Sequence, residues 1–353
     1  MKVLVAMSGG VDSSVAAGLL VEQGHEVVGA TLKLWGGIAD SGCCSVGDVD
    51  DARRVAQILR IDHHVFNYSE EFERHVVGPF VQGHASGQSP NPCIECNRHI
   101  KFDLLFERAR RLGFDFVATG HHARVLTRDA ETCLVRGVDT QKDQSYVLGY
   151  LTSDELSMLL LPIGEMNKSA VRAHAERLGL RTWDKPDSQD VCFIESTKGR
   201  EVFLRQRIEL TPAKLVDRSS GEVIGSTAAA ELMTVGQRRG VLPDRDGAKR
   251  YVARVDLAAH TVEVGRLADV LISRIDLDPT SLTSARGTLV DGVRYFAQWS
   301  SHGRVQPVTL HLSTRCHVVL DTPARPVAPG QTLVLYRYDE PTIVEGAAIV
   351  TLA

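Results

Sequence analysis

The chain opens on an apolar, β-branched run, Lys2-Val3-Leu4-Val5-Ala6-Met7, which suits a buried parallel strand. It turns through seven residues into Val15-Ala16-Ala17-Gly18-Leu19-Leu20-Val21, whose apolar spacing is helical. The alternation recurs. Residues 26–32 read as a second strand, 51–59 as a helix, 63–68 as a third strand, and Glu70 to about Gly83 as a helix that begins with acids. A polar Pro/Gly loop spans Ser86 to Asn97, followed by a helix through Phe102, Leu105, Phe106 and Ala109 and by a strand over 114–118. Helical spacing returns over 168–178. Repeated βα units imply a doubly wound parallel sheet covered on both faces, with ligands at the carboxyl ends of its strands.

From about Leu215 the texture changes to short strands punctuated by Gly, Pro and Asp, at residues 223–225, 251–255 and 261–264. From about Val270 short alternating runs such as 308–312 and 332–336 predict a small antiparallel barrel. The expected organisation is α/β. Residues 1–200 form the parallel-sheet domain, 201–268 a small β-rich connecting domain, and 269–353 a C-terminal antiparallel β-barrel.

With 353 residues, 43% hydrophobic and 24% charged, the chain has the composition of an ordinary soluble protein. No run approaches the roughly 20 apolar residues of a membrane span, and the N-terminus enters a strand without a signal peptide, so a cytoplasmic protein is expected. The net charge of −4 gives no global sign of nucleic-acid binding. Its distribution is uneven: residues 195–255 hold twelve Lys/Arg against eight Asp/Glu, while residues 1–100 hold seven against twelve, an excess that suits either a polyanion partner or a solvated face.

The turn Ser8-Gly9-Gly10-Val11-Asp12-Ser13-Ser14 carries the first chemistry. Two glycines allow close backbone approach to an anion, Ser8 adds a hydroxyl, and the N–H groups of a new helix attract negative charge. The turn lacks the lysine that a Walker-type loop sends to the outer phosphates, so gripping pyrophosphate while AMP is transferred is the better fit. Asp12 is placed to hold Mg²⁺ or to offset the helix dipole. The segment resembles the SGGxDS signature of the PP-loop ATP pyrophosphatases.

Seven cysteines do not form the dense framework of a small secreted domain. Pro90-Asn91-Pro92-Cys93-Ile94-Glu95-Cys96-Asn97 sets two thiols three residues apart where a stiff loop enters a helix, a position that favours thiolate. Lys185-Pro186-Asp187-Ser188-Gln189-Asp190-Val191-Cys192-Phe193 carries another thiol among polar groups. Cys43-Cys44 read as packing near the phosphate loop, and Cys133 and Cys316 as core. His63-His64 read as a strand feature, whereas His121, after Thr119-Gly120 at a strand end, is placed for a ligand contact.

In this order the motifs resemble the bacterial tRNA-specific 2-thiouridylases over essentially the whole length. They are Ser8–Ser14, Asn91-Pro92-x-x-x-Cys96-Asn97, Lys101-Phe102, Thr119-Gly120-His121, Lys142-Asp143-Gln144-Ser145-Tyr146, the Asp187–Phe193 loop, Thr234-Val235-Gly236-Gln237-Arg238-Arg239-Gly240 and Pro329-Gly330-Gln331. The resemblance implies ATP contacts at Ala6, Met7, Ser8, Gly9, Gly10, Val11, Asp12, Ser13, Leu32 and Gly120. It implies tRNA contacts at Asn91, Pro92, Cys93, His121, Lys142, Asp143, Gln144 and Gln331. Cys192 would receive persulfide sulfur from a donor protein, a persulfide carrier or a cysteine desulfurase. Cys96 would act as nucleophile or release that sulfur through a Cys96–Cys192 disulfide.

Two departures stand out. Many members have Asp where this chain has Cys93, so Cys93, Cys96 and Cys192 could also hold a [4Fe–4S] cluster with an open iron. The Arg-Tyr-Arg element that many members present to tRNA is not recognisable, and Phe296-Ala297-Gln298-Trp299-Ser300 stands near its place. Two rival readings keep part of the pattern. An amidotransferase-like synthetase would use the ATP loop but leave Cys96 and Cys192 unexplained; a non-catalytic RNA-binding or metal-sensing protein would put structural zinc on three thiols where four ligands are normal.

Overall fold

The computed structural model describes residues 1–34, 46–128, 131–187, 191–194, 199–285, 289–313 and 315–352. Cys43-Cys44 and Ser188-Gln189-Asp190 lie outside them. The first part contains strands β1 (Lys2–Ala6), β2 (Glu26–Lys33), β3 (Asp62–Asn67) and β4 (Phe116–Ala118), the hairpin β5 (Ala123–Arg128) and β6 (Glu131–Arg136), and the short β7 (Leu159–Leu160). All except the hairpin join one parallel sheet in the order β3-β2-β1-β4-β7. The chain winds outward from β1 to β3 and then returns to the other side of β1. The order therefore reverses between β1 and β4, where Leu4 stands opposite Val117.

Alternation along β1 supplies both faces. Val3 and Val5 pack with Val15, Ala16, Leu20, Val55 and Val171, from α1 (Val11–Glu22), α2 (Val46–Leu59) and the helix Lys168–Arg177. Leu4 packs on the opposite face with Phe72, Ile100, Leu105 and Phe106. The central strand β1 is thus buried on both sides, as its unbroken apolar run predicts, whereas the edge strand β3, with its polar Asp62, His63, His64 and Asn67, stays largely exposed.

The polar loop ends earlier than the composition predicts. Asn91 accepts a hydrogen bond from the Cys93 N–H at 3.1 Å and caps a helix that starts at Pro92, a residue whose missing N–H costs nothing there. This helix widens into π-helical turns over Cys96–Leu104 and continues through Leu105–Arg111. Cys93 and Cys96 are therefore helical residues.

A second sheet holds β8 (Ala213–Asp217), β9 (Val223–Thr227), β10 (Arg250–Asp256) and β11 (Thr261–Arg266), in the order β10-β11-β8-β9. Its β8–β11 pair is parallel and its outer pairs are antiparallel. The third sheet contains β12 (Ile272–Leu277), β13 (Thr283–Ser284), β14 (Arg294–Gln298), β15 (Gln306–His311), β16 (His317–Ala324), β17 (Thr332–Arg337) and β18 (Val344–Leu352). The order β12-β16-β15-β14-β17-β18 closes through β12–β18 into a six-stranded antiparallel barrel, with β13 added on β18. The barrel shares a core with the parallel sheet: Val334, Tyr336, Val344 and Ala347 belong to the same buried cluster as Leu4, Phe102 and Leu105. Among the described residues no helix is long and apolar enough to cross a membrane.

Candidate functional site

The loop after β1 sits at the switch point, beside the residues that follow β4. Gly9 has φ +73°, and a Cβ there would lie 2.2 Å from the Asp48 carbonyl oxygen, so the turn excludes a side chain on two grounds. Gly120 is fixed by space alone, because a Cβ would meet the Ser13 nitrogen at 2.4 Å. The Thr119-Gly120 backbone thereby lies against the first turn of α1. Gly10 is the N-cap of α1 and gives it no side-chain cap, leaving that terminus open to an anion. Ser13 Oγ accepts from the Ser8 N–H at 3.2 Å and donates to the Gly10 carbonyl at 3.2 Å, which shapes the loop from within. Ala6, Met7 and Leu32 stand at the ends of β1 and β2 beside it, with Met7 and Leu32 buried.

The loop has no lysine of its own, but the fold brings two. Lys168 Nζ lies 2.8 Å from both Asp12 oxygens and 2.8 Å from Asp187 Oδ1. Lys185 Nζ donates to the Gly9 carbonyl at 3.0 Å, to Asp48 at 2.8 Å and to Asp51 at 2.7 Å. Asp187 also receives Lys142 at 2.7 Å and Arg172 at 3.1 Å. His122 Nε2 completes the set at 3.3 Å from Asp12 Oδ1. Burial pushes the Asp12 carboxyl up, but the bonds from His122 and Lys168 outweigh it and hold the group below the usual carboxylate range. Asp187 follows the same balance, burial opposed by Lys142 and Lys168, and falls to about 2. Sequence reasoning missed Lys168, Lys185 and His122. Lys185 lay within a motif already singled out, whereas Lys168 offered only its place at the start of a helix.

This cradle of open N–H groups and lysines fits the phosphates of a nucleotide. Lys168 lies on both Asp12 oxygens, so a Mg²⁺ held by Asp12 would share that carboxylate with the ammonium group. Among the described residues no group of three or more His, Cys, Asp or Glu side chains is placed to hold a metal ion.

Cys96 is buried, and Cys192 is half-buried and packs against the same apolar cluster, whereas Cys93 is exposed. Cys133 and Cys316 are core residues. Near the thiols a pocket of about 380 Å³ opens between Asn91, Pro92, Val191, Arg200, Thr234 and Gln331. Three parts of the chain meet at its rim: Gln331 Nε2 donates to the Ser89 carbonyl, and Ser89 Oγ donates to Thr234 Oγ1 at 3.3 Å. Arg200 reaches the pocket from a helix, bonded to the Leu232 carbonyl at 2.9 Å and to the buried His84 at 3.4 Å.

Residues 1–196 match the family model described as the tRNA methyl transferase HUP domain. The tRNA-specific 2-thiouridylase MnmA of Mycobacteroides abscessus is 44% identical over 363 residues, covering 99% of this chain and 99% of that protein. The proteins of the same description from Mycolicibacterium smegmatis and Salinispora tropica are 43% and 42% identical, covering 96% and 99% of this chain and the same shares of theirs. The chain belongs to the tRNA-specific 2-thiouridylase family. Against that family's expected RNA contacts, Asn91, Pro92 and Gln331 line the pocket, and Cys93 is exposed beside them. His121 is buried, bonded to Thr119 Oγ1 at 2.7 Å, and burial holds it well below the usual histidine range. Lys142, Asp143 and Gln144 engage partners within the chain. Near the place of the missing Arg-Tyr-Arg element, Phe296 stacks on Tyr338 at 5.2 Å and Arg294 lies 4.4 Å over the same ring.

Proposed function

We infer that this protein is an ATP-dependent tRNA sulfurtransferase that converts the wobble uridine at position 34 to 2-thiouridine. The observation that carries the reading is the convergence of two lysines and an uncapped helix terminus on one loop at the switch point, in a chain that carries the family's paired thiols. An oxygen at C2 of uridine is a poor leaving group. Transfer of AMP from ATP to that oxygen, with release of pyrophosphate, makes it a good one. Ser8–Ser13, Gly120, Lys168 and Lys185 hold the triphosphate end in this scheme.

A donor protein, a persulfide carrier or a desulfurase, loads Cys192 as a persulfide. The terminal sulfur attacks C2 and AMP departs with the oxygen. Cys96 thiolate then attacks the Cys192 sulfur, breaking the S–S bond, so that sulfur stays on the uridine and a Cys96–Cys192 disulfide remains for a thiol reductant. Asn91, Pro92 and Gln331, at the pocket beside the thiols, are the residues assigned to the entering nucleotide, with His121, Lys142, Asp143 and Gln144 behind them.

The test is pyrophosphate release from ATP in the presence of unmodified tRNA, with mass spectrometry of position 34. Cys192→Ser is expected to release pyrophosphate at a near wild-type single-turnover rate yet form no 2-thiouridine, and Cys96→Ser also to form none. Adenylation without any dependence on tRNA would overturn the reading.

A further inference from the structure

Three successive residues, Lys142, Asp143 and Gln144, point to three different parts of the molecule. Lys142 holds Asp187, in the loop that leads to Cys192. Asp143, only 6% exposed, accepts from Arg136 Nη1 at 2.8 Å, from the Gly137 N–H at 2.9 Å and from the Ser145 N–H and Oγ at 3.1 and 2.9 Å. Arg136 carries that link into the barrel, bonding Gln298 Oε1 at 2.6 Å and lying 4.1 Å over the Tyr336 ring. Gln144 clamps the backbone of His122: its Oε1 accepts from the His122 N–H at 2.9 Å, and its own N–H donates to the His122 carbonyl at 2.9 Å.

The His122 clamp matters because of the ring it carries. The ring is buried, Nε2 meets Asp12, and Nδ1 has no hydrogen-bond partner. With one side-chain bond, the ring takes its direction from its backbone. Gly137 closes the same place from the other side, where a Cβ would lie 2.6 Å from the His122 carbonyl oxygen. A shift of Gln144 therefore moves His122, and with it one of the two groups that hold Asp12 in the phosphate loop.

We propose that residues 142–144 form a positioning hub joining the phosphate loop, the thiol loop and the barrel, and that Gln144 sets Asp12 through His122. Gln144 is a positioning residue whose work is done by its acceptor oxygen. A contact to an RNA phosphate through its amide would instead use the N–H₂ donors, because phosphate oxygens only accept. That chemical difference separates the two roles.

The experiment compares Gln144→Ala, which removes the acceptor, with Gln144→Glu, which keeps an acceptor and loses the donors. This proposal rests on the thiolation reading for one measurement, tRNA-dependent pyrophosphate release at saturating tRNA, and is free of it for the other, ATP affinity of the tRNA-free protein. Gln144→Ala is expected to slow release about tenfold or more and to weaken ATP binding of the tRNA-free protein at least threefold; Gln144→Glu is expected to recover the ATP binding. If Gln144→Ala does not fold, Gln144→Met takes its place, filling the space without an acceptor. Unchanged ATP affinity in the variant lacking the acceptor overturns the hub, as does an ATP affinity that Gln144→Glu fails to recover. A wild-type protein that releases no pyrophosphate with tRNA overturns the functional reading instead, and the ATP affinities still decide the hub.

Discussion

Lys168 serves two carboxylates at once, and its side chain is only 13% exposed. Replacing it with Met leaves Asp12 with His122 alone and Asp187 with Lys142 and Arg172. Breaking a fully buried pair costs about 3–5 kcal/mol, and the partial exposure of both acids lowers that to about 1–3 kcal/mol, measurable by urea unfolding. Pyrophosphate release is expected to fall roughly 100-fold, because a preorganised charge beside the phosphates is lost. His84 gives a prediction in pH. Burial pushes it down to about 4 from the ordinary 6.5, so between those values the unfolded chain binds a proton that the folded one refuses. Stability is fully present above pH 6.5 and declines as pH falls toward 4. His84→Gln is expected to flatten that slope in unfolding curves taken across the range, and an unchanged slope would assign it to other groups.

At the scale of elements, the helices divide by how they begin. The helix Lys168–Arg177 is capped by Asn167, which accepts from the Ala170 N–H at 2.8 Å, whereas α1 starts on Gly10 with no side-chain cap. Gly10 has ordinary extended torsions, and a Cβ there would have only Ser8 Oγ near it, at 3.6 Å. Gly10→Asp is therefore expected to fold, to gain a few tenths of a kcal/mol from capping, and to weaken ATP binding at least tenfold by placing a carboxylate where phosphate must go. Thermal melting and nucleotide titration on one preparation check both signs. The strands β1, β2 and β4 were legible because each is a short apolar run between turn residues, β3 by its Val65-Phe66 pair alone, and the Ser8–Ser14 loop because its glycines follow such a run. The helix start at Pro92 was masked by proline-rich composition, although Asn91 ahead of a proline is itself a start signal. Lys168 and Lys185 were not legible as site residues, since what brings each to the loop is a contact across more than 150 positions of sequence.

The whole molecule is one packed body at the junction of the parallel sheet and the barrel. Tyr336 and Tyr146 are fully buried there, and Tyr146 donates to the Thr332 carbonyl at 2.9 Å. Circular dichroism and tryptophan fluorescence are expected to report one coincident unfolding transition for these two parts; two separated transitions would show that the shared core contributes little. The same packing has a consequence for how the protein is made. Leu4 leaves the ribosome 340 residues before Val344, yet Val344 and Ala347 belong to its cluster. At about 5–20 residues per second the early strands wait roughly 20–70 s for those partners, with apolar surface uncovered meanwhile. A message cut short ahead of β17 would thus yield a chain that holds every residue of the phosphate loop and both thiols, and still presents itself to the cell's proteases as unfinished.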